Sequence, residues 1–175
     1  MIYFDKDKQA YGYEISEYIC TVEDNIWAEY AGTDKWDIID GVFTDITDTD
    51  EYVAEKLQEA KQAKYTEALE KAYKHQQNGT VEHKNCIFEM SDSNRKNLSD
   101  TEEALKLQGL EETTWLDKDD NYVILTVDDI QYIRLNLILA AIQKLWIKDY
   151  PTYKQRIAEA KTIDSVNKIV IHYEV

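Results

Sequence analysis

Metal ligation is the first chemistry the residue types suggest. Asp117-Lys118-Asp119-Asp120-Asn121 supplies the Asp-x-Asp-x-Asn opening of a calcium loop, and Asp128 stands at its twelfth place. Such a loop needs glycine at the sixth place for its sharp turn and a bidentate glutamate at the twelfth. The sixth place is Tyr122, Asp128 is too short for the twelfth, and the flanks read as strands. An ordinary polar hairpin turn is the expectation. Asp45, Asp48 and Asp50 lie close in sequence, but a helix cap explains the last two more simply. His83 and Cys86 make half of a zinc set, with only Cys20, His75 and His172 as further soft ligands. A structural zinc wants four. No metal and no cofactor is expected.

Catalytic patterns are equally sparse. Cys86 could meet His75 or His172, but nothing around it marks an activated thiolate. There is no Gly-x-Ser-x-Gly elbow and no phosphate-cradling glycine loop. A glycosidase needs two carboxylates at a defined separation across a cleft. Carboxylates are plentiful here, and a solvated acidic surface is the simpler reading of them. No catalytic residue is assigned. Asn78-Gly79-Thr80 and Asn97-Leu98-Ser99 fit the glycosylation sequon, and without a secretory signal they read as chance matches.

The elements that would position any site read as follows. Ile2-Tyr3-Phe4 and Tyr11 to Ile15 are strand-like, and Thr21 can cap a short helix over 22–30 with Gly32 as its stop. Trp36 to Ile39 and Val42 to Thr44 flank Asp40-Gly41, a hairpin signal because both turn residues need positive φ. A polar hinge, Asp45 to Asp50, closes this β-rich segment, 1–47. Residues 48–78 read as a long linking helix, capped by Asp48 or Thr49 and ended by Asn78-Gly79, roughly 40 Å long. Its apolar stripe (Val53, Leu57, Ala60, Ala68, Ala72) is thin and Ala-rich, which suits a projecting stem or one arm of a helical pair.

Residues 79–175 read as a C-terminal α+β domain. A hairpin turns at Lys84-Asn85, and a helix runs from a Ser91 or Ser93 cap to Gly109. A second hairpin turns at Asp117 to Asn121, and Thr126 with Asp129 caps a helix over 127–149. That helix is apolar around much of its circumference. Ile130, Ile133, Leu137, Ala140, Ala141 and Ile147 follow helical spacing, and Leu135, Ile138, Leu139, Ile142, Leu145 and Trp146 fill most of the rest. It must be a central core helix or a subunit interface. Pro151 is expected to break it, a last helix follows, and Ile169 to Tyr173 reads as a closing strand. The fold class is α+β, mostly helical with short antiparallel hairpins.

The 175 residues carry 35 acidic and 20 basic side chains, a formal net charge of −15. That balance argues against nucleic acid, whose phosphates need clustered Lys and Arg, and against anionic membrane surfaces. The most apolar stretch, Leu135 to Ile147, is too short for a bilayer span, so no membrane insertion is expected. Met1-Ile2-Tyr3-Phe4-Asp5 runs into charge at once, which points to folding in a cytoplasm. Cys20 and Cys86 read as buried free thiols, with a single bridge the alternative. The 13 tyrosines and four tryptophans suit a binding face or a strand-rich core equally.

From Gly79 onward a recurring order appears: Asn85-Cys86-Ile87-Phe88-Glu89-Met90-Ser91, Asn97-Leu98, Trp115, Val123 to Ile130, and Ile157 to Asp164. It resembles a domain of unknown function that recurs in tail and tail-fibre proteins of bacteriophages and prophages. Residues 1–45 are similar to the short leading segment of many such proteins. The resemblance implies a non-enzymatic structural component of a phage tail, tail fibre or baseplate, assembled in the bacterial cytoplasm and carried in the virion. Its partners would be other tail and baseplate proteins and its own copies, plausibly as a trimer. A tail-fibre assembly chaperone absent from the mature virion and a glycan-acting enzyme are the alternatives. Composition nominates Leu139, Ile142 and Trp146 as a self-association surface. It nominates Tyr11, Tyr13, Trp27, Tyr30 and Trp36 as a surface for a neighbouring tail protein.

Overall fold

A computed structural model of the chain describes residues 1–173, which leaves the last two residues of the 79–175 domain outside the described residues. The fold is α+β, with small antiparallel sheets in both halves and a mostly helical second half. Two compact units emerge, Met1–Gln58 and Glu59–Val175, divided within a long helix.

In the N-terminal unit, β1 (Ile2–Phe4), β2 (Ala10–Tyr11) and β3 (Cys20–Val22) form an antiparallel sheet in the order β2-β1-β3. The expected strand 11–15 is cut to Ala10–Tyr11, because β1 is three residues long and the ladder holds only Tyr3↔Tyr11 and Phe4↔Ala10. Thr21 is not a helix cap. Its backbone pairs with Tyr3 in the sheet, and α1 (Asp24–Tyr30) starts after Glu23 with no side-chain cap. Strand pairing wins over capping at that residue. β4 (Trp36–Ile39) and β5 (Val42–Asp45) form the expected hairpin, with φ of 50° at Asp40 and 77° at Gly41. Gly41 is needed twice, since a Cβ there would also come within 3.4 Å of the Ile19 carbonyl. Phe4 is fully buried at the centre, with ring centroids 5.1 Å from Trp27 and 5.3 Å from Trp36.

Helix α2 (Asp50–Asn78) is capped by the Thr49 hydroxyl, which accepts from the Tyr52 amide at 3.3 Å. It ends at Gly79, where a Cβ would stand 2.6 Å from the His75 carbonyl oxygen. Two of its alanines place its second half in a helical packing and not on a projecting stem. Ala68 and Ala72 are fully buried against Leu145, Ile157, Ile169, Ile171 and Tyr173.

The rest of the C-terminal unit is built on two hairpins. β6 (Thr80–His83) and β7 (Cys86–Glu89) turn through Lys84 and Asn85, both at positive φ. α3 (Asp92–Gln108) is capped by Ser91 and stopped by Gly109 in the left-handed region. β8 (Glu112–Leu116) pairs with β9 (Tyr122–Thr126). A reciprocal Thr126/Asp129 capping box then opens α4 (Val127–Tyr132).

From α4 the helix does not stop. A π-helical stretch, Ile133–Ile138, leads into α5 (Leu139–Gln143), a second π stretch, Lys144–Asp149, and α6 (Tyr150–Glu159), with right-handed helical dihedrals at every junction. Pro151 therefore does not break the rod. A proline ring collides with the carbonyl four residues back in an α-helix. Here the preceding turn is wider: the Tyr150 amide bonds to Leu145, five residues back, and the Thr152 hydroxyl takes the Lys148 carbonyl at 2.7 Å. A short α7 (Ile163–Asn167) follows, opened by a Thr162/Ser165 capping box.

The segment 169–173 is extended but pairs with no strand among the described residues. Its side chains still alternate, with Ile169, Ile171 and Tyr173 buried and Val170 and His172 exposed. Side-chain groups replace the ladder. The Tyr153 hydroxyl accepts from the His172 amide at 3.1 Å and donates to its carbonyl at 2.8 Å, and the Tyr173 hydroxyl donates to the Ala68 carbonyl at 3.0 Å.

Candidate functional site

The helical rod over 127–159 serves two cores. Ile130, Ile133 and Ile138 enter a cluster with Phe88, Met90, Leu98, Leu105 and Leu125, while Leu145 and Ile157 enter the cluster around Ala68 and Ala72. The step of five residues from Ile133 to Ile138 is the length of a π turn, and it moves the buried face off the α-helical repeat. Leu145 is 1% exposed, whereas Ile147, which continues the three-and-four spacing that runs from Ile130, is 75% exposed. Two buried clusters account for most of the apolar circumference. What remains uncovered is a row at steps of three and four residues: Tyr132, Leu135, Leu139 and, beyond Gln143, Ile147.

The β8–β9 hairpin adds a second uncovered surface. Its core face presents Trp115, Val123 and Leu125, with Leu125 fully buried. Its other face presents Leu116, Tyr122 and Ile124, all exposed, with Leu116 directly opposite Tyr122 in the register. A two-sided antiparallel hairpin normally alternates apolar and polar. This one carries large apolar side chains on both faces, with Glu112 and Thr114 completing the outer one. Sequence reasoning missed this surface, although the alternation of Val123 and Leu125 with Tyr122 and Ile124 was the available signal.

The nominated interface residues divide. Leu139 is exposed on the rod, but Ile142 packs against the first cluster. Trp146 packs against the second, donates its indole N–H to Gln76 at 2.6 Å, and lies edge-on to Tyr150. Trp27 and Trp36 face Phe4 in the N-terminal core. The Tyr30 hydroxyl donates to Asp45 at 2.7 Å, the Tyr11 hydroxyl donates to Asp5 at 3.0 Å, and Tyr13 is exposed.

The least exposed carboxylates are occupied by structural donors. Asp117 accepts from the amides of Ile87, Asp119 and Asn121 at 3.1, 2.9 and 2.7 Å, which fixes the turn of the calcium-like sequence. Asp129 accepts from the Thr126 amide and hydroxyl and from Lys84, and bonds His83 at 2.9 Å. Burial pulls its acidity upward, but hydrogen bonds from Lys84, His83 and Thr126 outweigh that and hold the carboxyl far below its usual range. Glu102 behaves alike. Burial raises it, and bonds from Lys106 at 2.5 Å and Gln131 at 2.7 Å, with the Arg134 guanidinium, lower it further than burial lifts it. A general acid or base works best with a pKa near the operating pH. These three stay ionised well below it and hold elements in place. Cys86 is buried, and burial followed by the Asp117 charge pushes its thiol upward, away from reactivity.

The chemistry this arrangement provides is apolar contact. The exposed rows on the rod and on the hairpin are where the C-terminal unit can bury further surface. Neither a scan against protein-family models nor searches of curated proteins and of solved structures finds a match to this chain.

Proposed function

We propose that the chain is a non-enzymatic structural component of a bacteriophage or prophage tail, a tail-fibre or baseplate-associated subunit that works by protein–protein assembly. The observation that carries the reading is the uncovered apolar row Tyr132, Leu135, Leu139 and Ile147 on a helix whose remaining large apolar side chains pack into two cores. Exposed apolar surface gathered on one element marks an interaction site. The outer face of the β8–β9 hairpin extends the apolar area available in the same unit. The sequence resemblance supplies the tail context, and the engagement of Asp117, Asp129 and Glu102 by structural donors favours assembly over catalysis.

Light scattering on the purified chain tests the assembly step. A homo-oligomer is expected, and the pair Leu135→Glu with Ile147→Glu returns it to monomer with an unchanged circular-dichroism spectrum. A wild-type protein that stays monomeric at high concentration overturns self-association through this row. Mass spectrometry of purified virions tests the location. The chain is expected in the particle, and its absence from particles made by an infected host that expresses it assigns it to assembly instead.

A further inference from the structure

The N-terminal unit contains an open groove of about 690 Å³ lined by β3, β5, α1 and the segment before β3. Five large apolar side chains that the unit's own core leaves uncovered line it: Met1, Tyr18, Ile19, Ile26 and Val42, the last 62% exposed. Glu23 and Asp45 bring carboxylates to the same lining, no Lys, Arg or His side chain joins them among the described residues, and the amine of Met1 is paired with Asp24 at 2.6 Å. Asp45 is held ionised by bonds from the Thr47 hydroxyl and amide and from the Tyr30 hydroxyl, so its charge persists into the acid range. The surroundings reinforce that sign. Residues 1–58 hold fifteen acidic and only four basic side chains. Two of those four, Lys8 and Lys56, are already paired with Asp37 and Asp34.

The backbone adds a second requirement. Among the described residues β3 pairs only with β1 and β5 only with β4, so both strands that line the groove are outer strands of their sheets. Outer strands offer hydrogen-bonding groups to an added extended segment.

We infer that this groove docks an extended segment of a partner protein in which apolar side chains alternate with Lys or Arg. Apolar side chains cover Ile19, Ile26 and Val42, the cations meet Glu23 and Asp45, and the segment's backbone runs beside an outer strand. A second copy of this chain is disfavoured, because it brings its own excess of acid to an acidic lining. The groove shares no residue with the apolar row on the rod, so this inference does not depend on self-association there.

Fluorescence anisotropy on the full chain tests it with three labelled hexapeptides: Lys-Leu-Val-Lys-Ile-Lys, the polar cation Lys-Ser-Gly-Lys-Ser-Lys, and the sign-reversed Glu-Leu-Val-Glu-Ile-Glu. The first is expected to bind at least about tenfold more tightly than the others and to weaken as salt is raised. Val42→Lys, at an exposed position, weakens it by about tenfold or more, while Leu107→Lys, at an exposed position of α3, leaves it unchanged. Ile26→Lys provides the same reading should Val42→Lys fail to fold. Equal binding of the polar cation, no detectable binding of the first peptide, or binding indifferent to both groove variants overturns the inference. So does a dimer that Val42→Lys dissociates, which gives the groove to a second copy.

Discussion

Asp129 shows how one side chain can hold several pieces of the C-terminal unit. It closes the capping box of α4 and reaches across to His83 and Lys84 at the end of the β6–β7 hairpin. Its folded-state acidity is depressed, so its contribution is complete above the ordinary carboxylate pKa and is lost as pH falls toward the lower folded value. Asp129→Ala is expected to cost about 2 kcal/mol at pH 7, the sum of a lost cap and lost charge-assisted bonds. In urea unfolding the gap between variant and wild type should narrow as pH drops below roughly 4. A gap that stays constant down to strong acid would mean that the carboxylate charge is not what matters. The capping pair was legible in the sequence, because Thr126 and Asp129 sit three apart before an apolar run. The reach to His83 and Lys84 was not, since it joins residues more than forty positions apart that only the folded unit brings together.

At the scale of elements, the rod over 127–159 separates what sequence pattern can and cannot specify. Its start was readable, and its apolar excess correctly demanded cover. Its continuation through Pro151 and its shifted buried face were not readable, because both depend on π turns, which leave no mark in hydrophobic periodicity. The hairpin at Asp40-Gly41 was legible from turn chemistry alone, while the strand expected at 11–15 failed for want of a partner strand. The shifted face makes a direct comparison possible. Leu145→Ala should cost about 2–5 kcal/mol, as expected for a truncated core leucine, whereas Ile147→Ala should stay within about 0.5 kcal/mol. Continuing the three-and-four spacing of Ile130, Ile133, Leu137 and Ala140 would put a substantial cost at Ile147, so denaturant midpoints of the two variants distinguish the two registers. Pro151→Ala should likewise change stability by less than about 1 kcal/mol, since the widened turn already accommodates the ring. Gln155→Pro, well inside α6 where no π turn makes room, should cost about 3 kcal/mol or more.

At the scale of the whole chain, charge is segregated. Fifteen acidic and four basic side chains fall within residues 1–58, so most of the net −15 belongs to the smaller unit. Like charges at that density repel over a Debye length of about 10 Å at 0.1 M salt, and the compact state bears more of the repulsion than the unfolded one. Salt acts in two directions here. It weakens the Lys8–Asp37, Lys56–Asp34 and Met1 amine–Asp24 pairs, and it screens a far larger number of other carboxylates. The second effect wins by count, since solvent-exposed pairs contribute little. Tryptophan fluorescence can read this unit in the intact chain, because Trp27 and Trp36 lie in its core while Trp115 and Trp146 belong to the other unit. In a Trp115→Phe/Trp146→Phe protein, raising NaCl from about 10 mM to about 500 mM should raise the thermal midpoint by several degrees. The converse protein, carrying Phe at positions 27 and 36, should respond less, because the C-terminal unit is nearly balanced in charge. A midpoint for the N-terminal reporter that falls with salt would mean that these ion pairs, not the acidic excess, govern that unit. It would also remove the electrostatic basis for a cationic segment in the groove beside β3.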